Sequence, residues 1–304
     1  MDRLTAPPLP DWITAQLPPD VERYRLDVGG QAMHVMERGA RDALPVVMVH
    51  GNPTWGFLWR KVAGALAADP VRCVMPDLIG LGLSDKPRDA GAHSIAAHAA
   101  WLGAALDRLA LPRFILVVQD WGGAIGFCAA AERAERVAGL VVLNTAIGPP
   151  RPGFKPTAFH RFAAMPGIAD VVFRGLHFPQ AFMNMAQGDK RSIGLRATAA
   201  YVWPLRHLAD RVAPLAMARM VPDSLEHPSI AALALSQSFV SAFRGAAAIV
   251  WGDRDPVLGR LRTWVEKNLP QAAVTRTAAG HFLQEEVAGD IAAAIRNVAR
   301  AVAG

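Results

Sequence analysis

A run of five apolar residues, 114–118, ends at Gln119 and Asp120 and is followed at once by small residues that open a helical pattern. A short, continuous apolar run of this kind is typical of a buried strand. The paired glycines Gly122 and Gly123 let the backbone turn sharply from that strand into the helix. The pattern therefore predicts a strand, a tight turn and a helix, with the side chain of Asp120 exposed at the turn.

Two interpretations of Asp120 follow from this stretch alone. Aspartate is a frequent N-cap, because its carboxylate accepts hydrogen bonds from the free N–H groups of the first helical turn. The same position is also that of a nucleophile on a strand-to-helix turn at the top of a sheet, where serine is usual. The stretch leaves both interpretations open, so the rest of the chain has to decide between them.

The composition describes a folded chain with a large core, because the 304 residues are 52% hydrophobic and 19% charged. No apolar stretch reaches the roughly 18 residues of a membrane-spanning helix, and residues 1–20 are too rich in proline and acidic residues for a signal peptide. The net charge of +6 comes from scattered arginines that form no dense basic run. We therefore expect a cytoplasmic protein that binds neither nucleic acid nor membranes. Its oligomeric state is left open.

Apolar runs alternate with helical patterns along most of the chain. Strands are predicted at 24–28, 33–37, 45–49, 71–75, 114–118, 137–143, 246–251 and 273–277. Helices are predicted at 55–66, 94–109, 230–243 and 261–269, after the turn at Asp120, and from the loop at His281 to about residue 302. Apolar strands that alternate with helices predict a mostly parallel, eight-stranded sheet with helices on both faces. In such a sheet the chemistry collects at the carboxyl ends of the strands.

Residues 149–222 break this alternation. Prolines separate short helical pieces that are rich in Phe and Met, and no strand pattern occurs. We interpret this segment as a helical cap inserted into an α/β core formed by residues 20–148 and 223–304. Phe and Met side chains suit the wall of an apolar cavity, although packing of the cap on the core accounts for most of them. Residues 1–20 are predicted to be an irregular lead-in.

Three polar residues follow predicted strands in the order Asp120, Asp255, His281, and the cap lies between the first two. Nucleophile, acid and histidine is the chain order of α/β-hydrolases. His281, in a loop before the last helix, is assigned as the base. Asp255 is preferred as the acid that holds the imidazole, because it lies deeper in its loop, whereas Asp253 suits a turn. The other strand end that could supply an acid carries Asn144, an uncharged amide.

These residues together resemble the haloalkane dehalogenases of the α/β-hydrolase superfamily, from about residue 20 to the C-terminus. The motifs that carry the resemblance are His50-Gly51-Asn52-Pro53-Thr54-Trp55, Val118-Gln119-Asp120-Trp121-Gly122-Gly123, the stretch 77–85, Asp255 and Gly280-His281-Phe282-Leu283-Gln284-Glu285. No single motif is specific, since Asp-Trp-Gly-Gly also occurs in epoxide hydrolases, but the set is specific. The resemblance is weakest in the cap.

The resemblance implies a role for each site residue. Asp120 would displace a halide from carbon and form an ester that water can cleave, whereas a serine would leave a stable ether. The indole N–H of Trp121 and the side-chain amide of Asn52 would bind the departing halide ion. His281, backed by Asp255, would activate water, while the backbone N–H groups of Asn52 and Trp121 would hold the oxyanion. The substrate would be a small, apolar, halogenated molecule, and no metal or organic cofactor would be needed.

Some positions depart from the pattern of many relatives. Gln119 stands where many of them carry His, and Val118 occupies a position that is usually small. Asn52 indicates a halide site of the Asn-Trp type, which together with an acid after the later strand suggests a less studied subgroup. We assign no third halide contact in the cap.

Rival functions share parts of the pattern. An epoxide hydrolase uses the same aspartate and histidine but needs cap tyrosines to protonate the oxirane, and this chain has only Tyr24 and Tyr201. A fluoroacetate dehalogenase would carry arginines around the nucleophile, where Trp121 stands. The intact Asp-Asp-His set argues against a silent ligand receptor on the same fold but leaves a luciferase open.

Overall fold

The computed structural model describes residues 3–151, 153–155 and 157–304, and these residues build one nine-stranded sheet. In chain order, strands β1 to β9 are Leu4–Thr5, Glu22–Asp27, Ala32–Arg38, Leu44–Val49, Val71–Pro76, Phe114–Val118, Val137–Val142, Ala246–Gly252 and Ala273–Thr277. Across the sheet their order is β1-β2-β3-β5-β4-β6-β7-β8-β9. The three pairs from β1 to β5 are antiparallel, and all pairs from β5 to β9 are parallel.

The helices of the described residues connect these strands. In chain order, α1 to α12 are Asp11–Thr14, Arg60–Ala65, Ile95–Arg108, Trp121–Ala131, Ala158–Ala163, Ile168–Asp170, Leu195–Val202, Ala213–Arg219, Ile230–Ala242, Arg262–Asn268, Leu283–Glu286 and Ala288–Ala303. Short 3-10 turns lie at Gly56–Trp59, Ala90–Ala92, Ala134–Arg136, Gln180–Ala186, Trp203–Leu205, Leu208–Asp210 and Gly259–Leu261, and a π-helical turn at Val171–Gly175. Among the described residues, no helix is long and apolar enough to cross a membrane.

The core lies on both faces of the sheet. Val47 and Val49 of β4 belong to one buried cluster, which also contains side chains of α3, α4 and α9. Val46 and Met48 belong to a second cluster, with side chains of α2 and α12. Since successive side chains of a strand point to opposite faces, helices cover both faces of the sheet. The predicted α/β architecture is confirmed.

The number of strands requires a correction, because nine are observed and eight were predicted. The additional strand β1 has two residues, which pair with Arg25 and Tyr24 of β2. Together with helix α1 it lies in the segment 1–20 that we predicted to be irregular, so that prediction was wrong for these residues. A strand of two residues has no alternation to detect, and its partner lies about twenty residues away in the chain.

The described residues of the segment 149–222 form helices α5 to α8 and short turns, without a strand. Pro152 and Pro156 of this segment lie outside the described residues. A third apolar cluster forms here around Phe173 and Leu215, with the rings of Phe159, Phe162 and Phe178 packed against it. The segment therefore has a small aromatic core of its own.

Candidate active site

The turn between β6 and α4 holds Asp120 in a backbone conformation that few residues other than glycine adopt, with φ 52° and ψ −129°. Its side chain makes no capping hydrogen bond to α4. The chain can approach so closely here because of two glycines: a Cβ atom on Gly122 would lie 2.2 Å from the carbonyl oxygen of Val49, and one on Gly123 would lie 1.9 Å from Oγ1 of Thr145. The turn thus directs the carboxylate away from the helix and into a cavity.

The carboxylate of Asp120 has two neighbours at the top of the sheet. Its Oδ1 accepts a hydrogen bond of 2.8 Å from the backbone N–H of Asn52, and its Oδ2 lies 3.4 Å from Nε2 of His281. On the other side of the same imidazole, Nδ1 lies 2.9 Å from Oδ2 of Asp255. The structure therefore brings Asp120, His281 and Asp255 together, each from a loop at the carboxyl end of a strand.

Asp255 is fixed by more than the histidine. Its Oδ1 accepts hydrogen bonds from the N–H groups of Val257 and Leu258, at 2.7 and 3.1 Å. Its Oδ2 also accepts one of 2.8 Å from the side-chain amide of Asn144, which in turn bonds to both backbone polar groups of Gly252. The sequence indicated correctly that Asn144 does not supply the acid. The hydrogen bonds of Asn144 instead hold Asp255 in place, and the sequence analysis did not predict this positioning role.

Asp253 lies apart from the imidazole. Its carboxylate forms ion pairs with Arg276 at 2.8 Å and with Arg262 at 3.2 Å, and its side chain is one-third exposed. These contacts tie the loop after β8 to β9 and α10. Of the two aspartates in this loop, it is Asp255 that contacts the histidine.

The two carboxylates control the protonation of His281. Burial lowers the pKa of the imidazole, but the charge of Asp255 and the hydrogen bonds to Asp120 and Asp255 outweigh it and raise the pKa to about 10. Burial likewise raises the pKa of Asp255, while the charge of His281 and its hydrogen bonds hold that pKa below the ordinary value. At neutral pH the imidazole is therefore protonated and lies between two carboxylates.

The two predicted halide donors line the cavity over Asp120, but only one is free of protein acceptors. In the described residues, the Trp121 indole N–H donates to no protein group. The side-chain amide of Asn52 donates a 2.9 Å hydrogen bond to the carbonyl of Pro214 in α8. Because an amide nitrogen carries two hydrogens, one donor of Asn52 is left for the cavity.

The predicted oxyanion donors also differ from one another. The backbone N–H of Asn52 already bonds to the Asp120 carboxylate. Among the described residues, the backbone N–H of Trp121 donates no hydrogen bond to Asp120. Trp121 is the first residue of α4, and the N–H groups of a first helical turn have no partner within the helix.

The cavity above Asp120 has a volume of about 260 Å³ and a mostly apolar wall. The 149–222 segment supplies Phe159, Phe178, Phe182 and Met183 to this wall. An apolar surround of this kind strengthens the interaction of an ion with the few donors that face it.

One polar residue of the cavity was missed by the sequence analysis. His160 of α5 lines the wall, and its Nδ1 lies 2.7 Å from Oγ1 of Thr157, the N-cap of that helix. Burial lowers the pKa of His160 to about 4, so the ring is neutral at neutral pH and carries one N–H. A single histidine among proline-separated cap helices gives no pattern that would have indicated this position.

The motif at 77–85 lies outside the cavity wall to which the other multi-residue motifs contribute. Asp77 is fully buried, and its carboxylate accepts hydrogen bonds of 2.7 Å from the backbone N–H groups of Gly56 and Leu83. Its Oδ2 lies 2.9 Å from Nδ1 of His34. Asp77 therefore ties together the segments that follow β4 and β5 and does not line the cavity.

Gln119, which precedes Asp120, contacts the histidine loop. Its side-chain amide donates a 3.1 Å hydrogen bond to the carbonyl oxygen of His281 and lies 3.4 Å from Nε2 of the same residue. Because Gln119 is fully buried, this bond fixes the backbone that carries the imidazole.

The arrangement is suited to nucleophilic displacement by a carboxylate, followed by hydrolysis with an imidazole base. Comparison with known proteins agrees with it. Residues 45–288 match the family model described as the alpha/beta hydrolase fold. The chain is 34% identical over 263 residues to a haloalkane dehalogenase of Mycobacterium marinum, with 86% of each protein covered.

Further relatives extend over almost the whole chain. Haloalkane dehalogenase 2 of Mycobacterium tuberculosis is 33% identical over 287 residues, which cover 92% of this chain and 95% of the relative. The crystal structure of the haloalkane dehalogenase DbeA from Bradyrhizobium elkani superposes with a TM-score of 0.84 at 27% identity, covering 93% of this chain and 99% of the other.

Proposed function

The chain belongs to the haloalkane dehalogenase family of the α/β-hydrolases, and from this premise we propose that Asp120, His281 and Asp255 carry out its reaction. The protein is a hydrolytic dehalogenase, which converts a halogenated substrate to alcohol, halide and a proton. One observation supports the assignment of residues above all. A carboxylate on a strained turn forms the floor of an apolar cavity, 3.4 Å from an imidazole that a second carboxylate holds.

In the first step, a carboxylate oxygen of Asp120 attacks the carbon that carries the halogen. A carbon–oxygen bond forms, the carbon–halogen bond breaks, and the halide leaves with the electron pair. The indole N–H of Trp121 and the remaining N–H of the Asn52 side chain then stabilise the charge that develops on the halide. The enzyme is left with an alkyl ester on Asp120.

Once the ester has removed the charge of Asp120, the imidazolium of His281 loses its proton to solvent, and this is the proton released by the overall reaction. In the second step, the neutral His281 takes a proton from water, and the hydroxide oxygen attacks the carboxyl carbon of the ester. The N–H of Asn52, which already bonds to this carboxylate, holds the oxyanion. The N–H of Trp121 is proposed as the second donor. Collapse of the tetrahedral intermediate breaks the bond to the alkyl oxygen, which takes the remaining proton of the attacking water and leaves as the alcohol. Asp120 is restored as a carboxylate, while Asp255 stabilises the imidazolium. These steps need no metal or organic cofactor, and that expectation stays a prediction.

The epoxide hydrolase alternative is not favoured. That reaction needs a tyrosine hydroxyl over the nucleophile, and the cavity above Asp120 is lined by neither of the two tyrosines of this chain. Tyr201 is buried elsewhere, where its hydroxyl donates a 2.6 Å hydrogen bond to Glu285. Tyr24 lies in β2 of the sheet.

We also propose that residues 149–222 act as a cap domain over a core of residues 20–148 and 223–304. The aromatic cluster of this segment and its contributions to the cavity wall support the division. A cytoplasmic location stays a prediction as well, and the two buried, unpaired cysteines Cys73 and Cys128 fit a reducing compartment. From composition alone, we also predict that the protein binds neither nucleic acid nor membranes.

A halide-release assay tests the function directly. Purified protein is incubated with 1-iodobutane and 1,2-dibromoethane, and free halide and released acid are measured together. We expect one proton for each halide, and no release by the Asp120→Asn variant. Diol formation from epoxides without halide release from any haloalkane would contradict the proposal.

A further inference from the structure

A second cavity adjoins the one above Asp120 and is larger, at about 410 Å³ against about 260 Å³. Trp121 and His160 belong to the walls of both cavities. The loop after β7 and residues 258–264 form much of the remaining wall. Trp121 and His160 therefore stand where the two cavities meet.

The wall of the second cavity combines an apolar surface with positive charge. Ile147, Leu233, Leu258 and Trp264 are among its apolar residues, and its charged residues are Arg151 and Arg260. No carboxylate side chain of the described residues contributes to it. Such a wall suits the apolar part of a molecule that also carries a negative charge.

The two arginines are held in place without being neutralised. The guanidinium of Arg151 lies 4.3 Å from the ring centroid of Trp264, and that of Arg260 lies 5.7 Å from the ring centroid of Phe154. In the described part of the chain neither forms an ion pair, whereas the nearby Arg262 pairs with carboxylates. The guanidinium of Arg260 also donates a 3.4 Å hydrogen bond to the carbonyl oxygen of Val257. Since a guanidinium carries five N–H donors, each arginine keeps further N–H groups for bonds to a carboxylate.

We propose that this second cavity is a subsite for the tail of a halogenated substrate that ends in a carboxylate. The halogen-bearing carbon lies over Asp120, the alkyl chain passes Trp121 and His160, and the carboxylate binds Arg151 and Arg260. This inference rests on the proposed function. The chemistry is unchanged: the carbon–halogen bond is replaced by a carbon–oxygen bond, and the products are an ω-hydroxy acid, halide and a proton.

Chain length is the first test. We compare ω-bromoalkanoates of about four to twelve carbons with 1-bromoalkanes of the same length. Short acids gain nothing, because their carboxylate would lie in the apolar cavity above Asp120, where burial of a charge without a partner is unfavourable. Acids long enough to reach the arginines have a kcat/KM roughly tenfold or more above that of the matched bromoalkane, and this advantage falls with added salt.

The arginines are the second test. The double variant Arg151→Gln, Arg260→Gln raises KM for the preferred long acid roughly tenfold and leaves kcat/KM for 1-bromobutane unchanged. The control is Arg206→Gln, which removes an exposed arginine stacked 4.1 Å above Trp203 and lining neither cavity. A second readout needs no turnover: decanoate inhibits the wild type competitively and the double variant about tenfold more weakly, while 1-decanol inhibits both equally.

The outcomes separate this inference from the proposed function. If 1-bromobutane is hydrolysed but long bromoalkanoates show no advantage, or the double variant behaves like Arg206→Gln, the subsite is wrong and the dehalogenase assignment stands. If no bromoalkane or bromoalkanoate of any length releases halide, the proposed function itself is wrong.

Discussion

Nε2 of His281 lies 3.4 Å from Oδ2 of Asp120, so the proposed base and nucleophile form an ion pair before substrate binds. The two reaction steps need different states of this pair. The first step needs an ionised Asp120, and the second needs a neutral His281. Formation of the ester removes the charge of Asp120 and with it part of what raises the pKa of His281. In the proposed scheme, His281 therefore becomes able to act as a base only after the ester has formed.

The Asp120→Asn variant tests this coupling, because an amide has the shape of the carboxylate without its charge. We expect the pKa of His281 to fall from about 10 toward its ordinary value of 6.5, since the contributions of Asp120 are lost. Titration of the histidine ring by NMR measures this pKa. The Asp253→Asn variant, which removes a carboxylate that does not contact the imidazole, serves as the control. An unchanged pKa in Asp120→Asn would contradict the coupling.

The same ion pair makes stability depend on pH with a definite sign. The folded-state pKa of His281 is raised, so the protonated imidazole stabilises the fold fully below pH 6.5, and this stabilisation is lost as pH rises through about 10. The advantage of the wild type over Asp120→Asn in urea denaturation should therefore shrink from pH 6.5 to pH 10. A constant difference over that range would show that the pair does not titrate as described.

Replacing His281 by Phe separates the two steps. Asp120 remains able to displace halide, but no base activates water, so the ester accumulates. We expect a burst of about one halide per protein molecule and a protein mass increased by the alkyl group, located on a peptide that contains Asp120. The Asp120→Asn variant should show neither burst nor adduct. Sustained turnover by His281→Phe would mean that another residue supplies the base.

Asp255 and Asp253 provide a matched pair, because the same substitution can be made two residues apart. Asp255→Asn should lower steady-state turnover on the order of 10²- to 10⁴-fold, since the imidazole loses the carboxylate that fixes its tautomer and stabilises its charge. Asp253→Asn breaks only the ion pairs with Arg276 and Arg262 and should leave turnover within about twofold. Rates of product formation at saturating 1-iodobutane decide between them. The reverse order would assign the acid to Asp253.

The sequence was informative where short-range pattern determines structure. Strand β6, Phe114–Val118, has the predicted bounds because a buried parallel strand is apolar throughout and ends at polar residues. Strand β9, Ala273–Thr277, also has the predicted bounds, although most of its residues are exposed and three of the five are polar. Asp120, Asp255 and His281 could be selected as site candidates because each lies in the loop after a predicted strand.

Contacts between distant segments could not be predicted in this way. The bond from the Asn52 side chain to Pro214 spans 162 residues, and the bond from Asn144 to Asp255 spans 111. His160 reaches the cavity only because α5 folds over the sheet. The periodicity of a sequence does not indicate contacts of this kind, since they depend on how distant segments pack against each other in the fold.

Trp121→Phe tests the leaving-group role of the indole. An aromatic ring remains at the cavity wall, but the indole N–H is lost, so stabilisation of the departing halide should fall. Removal of one such donor costs roughly 10²- to 10³-fold where the leaving group depends on it. We expect a loss of that size on 1-chlorobutane and a much smaller loss on 1-iodobutane, because iodide leaves with less assistance. The control is Trp12→Phe, at a residue of α1 that does not line the cavity. An equal loss on both halides would count against the role.

The packing of the turn at Asp120 is tested by two alanine substitutions in helices. Gly64 lies in α2 with open space around its Cβ position, whereas a Cβ on Gly123 in α4 would lie 1.9 Å from Oγ1 of Thr145. Helix propensity alone favours alanine at both positions by about 1 kcal/mol. We expect Gly64→Ala to stabilise the protein by that amount.

At Gly123 the close contact opposes this gain. Thr145 is itself held by a 2.6 Å hydrogen bond from its hydroxyl to the carbonyl of Asp120, so it cannot move without disturbing the turn. Overpacking of this kind typically costs about 1–3 kcal/mol, which exceeds the gain in propensity over most of that range. Gly123→Ala should therefore lower the free energy of unfolding in urea while Gly64→Ala raises it. If both variants are stabilised, helix propensity outweighs the contact, and the approach of α4 to Thr145 is looser than the structure has it.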